Sequence, residues 1–342
     1  MGSLLSFSPW MALIMLILLG VSSGMVLVGL MAVFFIRRLT RTGGRLLRTG
    51  GLGASLVMLL LLILPALLLS GHLTICLLAG QPSAQQRRLH ELVHYQRRVL
   101  TQPYRSVIHI AQIDMASGAR LCLSRPERVD GNWSHRASTV KQILAQSDGL
   151  LAINGSYFGP FYSRHPLDYR PHVGDVATPR GMTVWRDKQY GIPTPRWPLL
   201  CVDENGGVSL RGSPSTTTRY AVAGSRWLVR NGVVMGCKVH DRSPRTAIGI
   251  NASANTVWLV VVDGRQPRYS EGMTVVDLAN FMLNLGAQNA INLDGGGSST
   301  MAWRNGDGEV SLLSRPIHTK IPLRERPVAN GLLVVDSDSP DF

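Results

Sequence analysis

The stretch AINLDGGGSSTM, residues 290–301, ends an apolar run on Asp294. Gly295, Gly296 and Gly297 follow, and then the hydroxyls of Ser298, Ser299 and Thr300. Glycine loses more chain entropy on folding than any other residue, so three in a row need a reason. Without Cβ atoms, such a loop lets successive backbone N–H groups point into a concavity, a nest that favours phosphate. The hydroxyls add donors. The pattern is not a P-loop, because no GK[ST] follows and the next element reads as a strand. Nor is it the G-x-S-x-G nucleophile elbow. A second acid opens Asp263-Gly264-Arg265, and Arg245 stands at the head of RTAIGI. Carboxylates serve as nucleophiles or proton-transfer groups, and arginine forks hold anions.

The flanking elements bring these groups together. Residues 256–262 read as a strand ending at Asp263. Thr274 and Asp277 make a capping-box-like start to a helix 274–285, with Leu278, Phe281, Met282 and Leu285 at helical spacing. Gly286 suits the position after that helix, and a strand 290–293 ends at Asp294. This is a βαβ unit whose two strands run the same way, so both aspartates leave the sheet at one edge. A hairpin turn near residue 253 returns strand 245–250, and with it Arg245, to that edge. A helix 138–146 and strand 150–153 deliver Asn154-Gly155 and Tyr157 if that strand joins in the same direction. Open α/β sheets bind ligands at such an edge. One Asn-Gly or Asp-Gly is ordinarily a turn. Their convergence, one with a triple glycine, is what points to a site.

The rest of the chain bounds the setting. Residues 9–36 and 49–86 carry no charge and are each long enough to cross a bilayer. The loop between them holds Arg37, Arg38, Arg41, Arg45 and Arg48, which the positive-inside rule places in the cytoplasm. The expected organisation is a two-span anchor over 1–80, an amphipathic juxtamembrane linker over 81–106, one domain over 107–336 and a disordered tail over 337–342. The linker reads as a helix, either on the lipid headgroups or as a plain connection. The expected fold class is α+β: two transmembrane helices followed by one mixed-sheet domain. That places a multi-pass protein in the cell (inner) membrane with its large domain outside the cytoplasm. The formal net charge is +14, and about nine units belong to residues 1–105, where Glu91 is the sole acid. The remaining excess suits an anionic ligand or membrane surface and argues against nucleic acid. Cys122, Cys201 and Cys237 show no zinc spacing and allow one disulfide, the pair unspecified. His165, His172 and His240 lack the spacing of a metal site, so no metal and no cofactor are expected.

INGSYF, PRTAIGI, VVVDGRQPRYSEGMTVVDLANFMLNLGAQNAINLDGGGSSTM and ERPVANGLLVV resemble, in this order over residues 108–335, the phosphodiester glycosidase family. The DGGGSS block with its upstream DGR and PRTAIG is the specific part. Ser156 and Tyr157 stand where many members carry Gly and Phe, and SRHPLDYRPHVGD is particular to a subgroup, which leaves the sugar open. The resemblance implies hydrolysis of a sugar-1-phosphodiester outside the cytoplasm. Cleavage at an anomeric carbon needs a carboxylate for an oxocarbenium-like centre, which Asp263 or Asp294 would supply; which of them is nucleophile or base stays open. Arg245, Arg265, Gly264 and the Gly295–Ser299 loop would hold the phosphate, and Asn154 and Tyr157 the sugar hydroxyls. The expected function is a membrane-anchored hydrolase of glycosyl-1-phosphodiesters in an envelope polymer or exopolysaccharide. The alternative is a non-catalytic module that binds an anionic glycan within a polysaccharide assembly or export complex.

Overall fold

The computed structural model describes residues 78–340, except 166–167, 187 and 237–239, together with isolated positions between 29 and 74. The chain divides into two units, residues 1–78 and 79–342. In the first, the isolated described positions are helical. The second carries everything that follows.

Its backbone is an eight-stranded sheet. In spatial order the strands are Gln85–His90, Val93–Leu100, Ser106–Asp114, Thr256–Val262, Arg245–Ile250, Asn289–Asn292, Arg226–Arg230 and Val233–Val234. The run TVWLVVV explains why the centre of this sheet is covered on both sides. Successive side chains of a strand point to opposite faces. Val257, Leu259 and Val261 enter one core, while Trp258, Val260 and Val262 enter another. Helix Val275–Asn284 packs into the second core through Val275, Leu278, Ala279 and Met282. The first core lies against a five-stranded sheet ordered Val310–Leu312, Met301–Arg304, Leu151–Asn154, Gly331–Asp336 and Ala119–Leu123. Each large side chain so buried contributes roughly 1.5–3 kcal/mol. A further five-stranded sheet contains Thr183–Trp185 and Leu199–Asp203.

The edge geometry follows from pairing. Strands Thr256–Val262 and Asn289–Asn292 are both antiparallel to Arg245–Ile250, which lies between them. They therefore run the same way, and Asp263 and Asp294 leave at the edge where Arg245 enters. Strand Leu151–Asn154 does not join this sheet. It pairs with Met301–Arg304 and Gly331–Asp336 in the second sheet, so Asn154 reaches the edge from the opposite layer. Helix Val275–Asn284 starts at Thr274, whose hydroxyl accepts from the Asp277 N–H at 3.1 Å, and Gly286 takes φ of 101° after it.

Two expectations are corrected. The fold is mainly β rather than α+β with spanning helices, and no helix among the described residues is long and apolar enough to cross a membrane. Most of 9–36 and 49–86, with the basic loop between them and Cys76, lies outside the described residues. The end of the second stretch, Gln85–Gln86, is strand. The juxtamembrane helix is likewise replaced by a hairpin, Gln85–His90 with Val93–Leu100, and the second strand pairs with Ser106–Asp114. Val93 and Tyr95 are buried while His94 is exposed, a period of two rather than 3.6. Cys122 and Cys201 are buried, and Cys237 lies outside the described residues.

Candidate active site

Asp294 sits where the two sheets meet. Asn154 makes the junction: its Nδ2 donates to the Asp294 carbonyl at 2.7 Å. Its Oδ1 accepts from Thr246 Oγ1 at 2.8 Å and from the Thr300 N–H at 3.2 Å. Every polar atom of this fully buried side chain is thus engaged within the protein. Asn154 holds the backbone of the aspartate in place.

The Asp294 side chain is buried, and its Oδ1 accepts from the Gly295 N–H at 2.8 Å. Burial pushes its carboxyl up to about 6, against the pull of the Ser298 hydroxyl, Arg326 and the Gly295 N–H, which favour the charged form. A carboxyl with that affinity for protons changes state near neutral pH, as acid–base groups and nucleophiles do.

The glycine loop is not the amide nest expected from its sequence. The Gly296 N–H donates to the Pro244 carbonyl at 2.8 Å, and those of Ser298 and Ser299 donate back to Gly295 and Gly296 at 3.3 Å. The loop closes as a short 3-10 turn, Gly296–Ser298, in which the amides of Gly295, Gly296, Ser298 and Ser299 all have acceptors within the protein. The glycines serve a different purpose. Gly296 takes φ of 63°, a left-handed value. A Cβ on Gly297 would lie 2.6 Å from Arg326 Nη2, and one on Gly296 would lie 3.3 Å from Arg265 Nη1 and Nη2. The absent side chains let two guanidinium groups approach the backbone beside Asp294.

Those arginines supply the positive charge. Arg326 is half-buried and lies with its guanidinium carbon 4.7 Å from the Phe161 ring centre. Its Nε donates to His318 Nδ1 at 3.2 Å and its Nη1 to Ser298 Oγ at 3.4 Å. Burial and the charge of Arg265 lower its proton affinity, while Asp294 raises it. His318 is pushed down to about 3, chiefly by burial and then by Arg326 and Arg324. It is therefore a neutral acceptor, oriented against Tyr169 with ring centres 5.8 Å apart. Arg265, at a left-handed φ of 57°, borders an open cavity of about 430 Å³ with His240, Arg242 and Glu271. Arg326 feels Asp294, while the carboxylate that acts on Arg265 is Asp241. The two guanidiniums repel each other beside the loop, a balance that an anion would complete.

Arg245 and Asp263 take other duties. Arg245 Nε donates to the Met273 carbonyl at 3.0 Å, and its Nη2 donates to the Asp241 carbonyl at 2.8 Å and to Asp241 Oδ1 at 3.3 Å. It braces the segment before Pro244, against which the glycine loop packs. Asp263 is 1% exposed. Its Oδ2 is held by His109 Nε2 at 2.8 Å and Tyr269 Oη at 3.0 Å, and its Oδ1 accepts from the Arg315 N–H at 2.9 Å. Tyr95 Oη closes the network on His109 Nδ1 at 2.8 Å. Gly264 packs on Pro244 in the same turn. Asp263 therefore anchors the loop that presents Arg265 and has no oxygen left unengaged.

Tyr157 lies close enough to Asp294 and Arg245 to feel both charges. Burial and the Asp294 charge raise its phenol above the ordinary range. Its ring meets Trp197 edge-on at 5.6 Å, and Asn292 Nδ2 lies 3.5 Å from its oxygen. Ser299 is buried, and its hydroxyl has no hydrogen-bond partner among the described residues. Arg326, His318, Tyr169 and Trp197 were not singled out from sequence. Arg326 and Tyr169 lie inside stretches read there only as motif context.

The model of the family described as phosphodiester glycosidase matches residues 148–335. The zebrafish N-acetylglucosamine-1-phosphodiester alpha-N-acetylglucosaminidase catalytic domain, auto-inhibited by pro-peptide, is 21% identical with a TM-score of 0.53. That match covers 74% of this chain and 88% of the zebrafish one, a likeness of fold. A hypothetical protein from Synechocystis is 17% identical with a TM-score of 0.47, covering 75% of this chain and 64% of that one. The SPbeta prophage-derived uncharacterized protein YomE of Bacillus subtilis strain 168 is 36% identical over 94 residues, 26% of this chain. The matched part spans 14% of the length of that relative.

Proposed function

The chain belongs to the phosphodiester glycosidase family, and on that premise we propose that it hydrolyses a glycosyl-1-phosphodiester at the Asp294 loop. The observation that carries this reading is a buried carboxyl poised near pH 6 beside two arginines, Arg265 and Arg326, at a loop stripped of side chains. A phosphodiester leaving group is a weak base, so its departure needs charge held more than a proton donated. The two guanidiniums would take the phosphate oxygens through N–H forks. The C1–O bond breaks and water supplies the new oxygen at C1. The electron pair leaves with the phosphate, and the proton is lost to solvent. Whether Asp294 attacks C1 or takes the proton from water, it works ionised. Tyr157 and Trp197 provide the sugar face. An envelope polymer or exopolysaccharide with glycosyl-phosphate links has the required chemistry.

The test is incubation of the full-length protein with a sugar-1-phosphodiester and separation of the products. Free reducing sugar with a phosphomonoester supports the reading. Sugar 1-phosphate, which reports P–O cleavage, overturns it. So does an absence of both products.

A further inference from the structure

A second cavity, of about 870 Å³, has none of Asn154, Arg245, Arg265, Asp294, Arg326 or the glycine loop in its walls. That volume is within the range of small-ligand sites. Arg125, Arg128, Arg136 and Arg186 face it against a single acid, Glu127. Glu127 is already paired with Arg136 at 2.9 Å. Among the described residues the other three arginines have no carboxylate partner.

Two tryptophans hold these arginines. The guanidinium carbons of Arg125 and Arg186 lie 6.0 Å and 4.9 Å from the Trp185 ring centre, and that of Arg128 lies 5.4 Å from Trp133. Stacking engages the flat face of a guanidinium, while its N–H donors lie in the plane. Arg186 Nη2 also donates to the Pro340 carbonyl at 3.5 Å. The arginines are oriented without being neutralised, and the forks of Arg125 and Arg128 remain available to an oxyanion. Each tryptophan already carries at least one of these cations. The remaining wall combines apolar groups, Leu123, Ile143 and Leu333, with the polar side chains of Ser124 and Gln146. Apolar patches beside hydroxyl and amide groups suit a saccharide ring.

We propose that this cavity is a second binding site, for a phosphorylated saccharide, separate from the Asp294 loop. It needs no turnover, and a chain without glycosidase activity would still show it. A free sugar phosphate and a phosphorylated polymer unit share the chemistry.

The test is calorimetric titration of the full-length protein at low ionic strength with glucose 6-phosphate, glucose and inorganic phosphate. Glucose 6-phosphate should bind more tightly than either control. The double variant Arg125→Gln, Arg128→Gln should lose about tenfold or more in affinity, because two charge-assisted forks go. Arg326→Gln should leave this affinity within about twofold, as separate sites act independently. If the double variant melts early, Arg125→Lys with Arg128→Lys keeps the charges and should bind at an intermediate level. A phosphomannan oligosaccharide that binds more tightly than glucose 6-phosphate assigns the site to polymer; equal binding assigns it to the monomer. Glucose or phosphate binding as well as glucose 6-phosphate would overturn the proposal. So would unchanged affinity in both double variants, or loss of binding in Arg326→Gln alone.

Discussion

Asp294 and Arg326 meet at one hydroxyl. Ser298 Oγ donates to the Asp294 carboxylate and accepts from Arg326 Nη1 at 3.4 Å. The acid and the cation are thus coupled through a shared third group, and a change at either one is felt at the other.

Replacing Asp294 by Asn keeps the shape and removes the charge. Turnover of a sugar-1-phosphodiester should fall by about a hundredfold or more, the scale of a lost acid–base or nucleophilic group. Wild-type kcat/KM should rise with pH through about 6, where the carboxyl ionises. A profile flat between pH 5 and 7 would remove Asp294 from the chemistry.

Arg326→Gln should move that rising limb to higher pH, because the arginine favours the ionised carboxylate. Turnover should fall about tenfold or more through loss of one anion fork. A pH–rate profile of the variant checks both. An unmoved limb would mean that the cation does not act on Asp294.

Stability gives an independent reading of the same group. The folded-state pKa of about 6 lies above the ordinary 3.8, so the folded protein binds the extra proton between those values. Stability from this group is therefore full below pH 3.8 and is lost as pH rises from 3.8 to 6. Above 6 the loss is complete at about 3 kcal/mol, at 1.36 kcal/mol per unit. Asp294→Asn should be more stable than wild type at pH 8 by up to about that amount. The advantage should shrink as pH falls through 6 and vanish near 3.8. Denaturant titrations at pH 4 and 8 measure it.

Asp263→Asn should act mainly on folding. Losing the charge of Asp263 weakens the hold on His109 and Tyr269, both buried, and each group left unsatisfied costs about 1–3 kcal/mol. The thermal midpoint should drop clearly, in contrast to Asp294→Asn. A variant with wild-type stability and no turnover would place Asp263 in the reaction instead.

Gly297→Ala should cut turnover about tenfold or more, since its Cβ must displace Arg326 from a 2.6 Å approach. Gly296→Ala should instead cost about 1–2 kcal/mol of stability, for holding an L residue at positive φ. Paired melting and rate measurements separate the two effects.

The convergence of Arg245, Asp263 and Asp294 was legible because it follows from strand direction alone. A continuous apolar strand, a capped helix and a returning strand leave few ways to connect. Their roles were not legible. Nothing in DGR tells that both oxygens of Asp263 are taken by His109, Tyr269 and the Arg315 amide, since these partners lie far apart in the chain. Three glycines show that the backbone must be bare; they do not show whether its N–H groups face a ligand or, as at Gly296, the Pro244 carbonyl. Arg326 enters from a segment with no periodic pattern. The residues around Leu89, Leu92 and Val93 fit a helical face as well as a hairpin, and pairing with Ser106–Asp114 decided for the hairpin.

The Asn154 junction ties catalysis to assembly. One amide grips Thr246 on one sheet and Thr300 and the Asp294 carbonyl beyond it, so it works as a latch between two layers that could otherwise each form alone. Slipping strand Leu151–Asn154 by a single residue would turn that side chain to the far face. An intermediate with both sheets formed but undocked would have native-like secondary structure and an unset aspartate. The proposed hydrolysis at Asp294 therefore depends on the two layers being docked through Asn154.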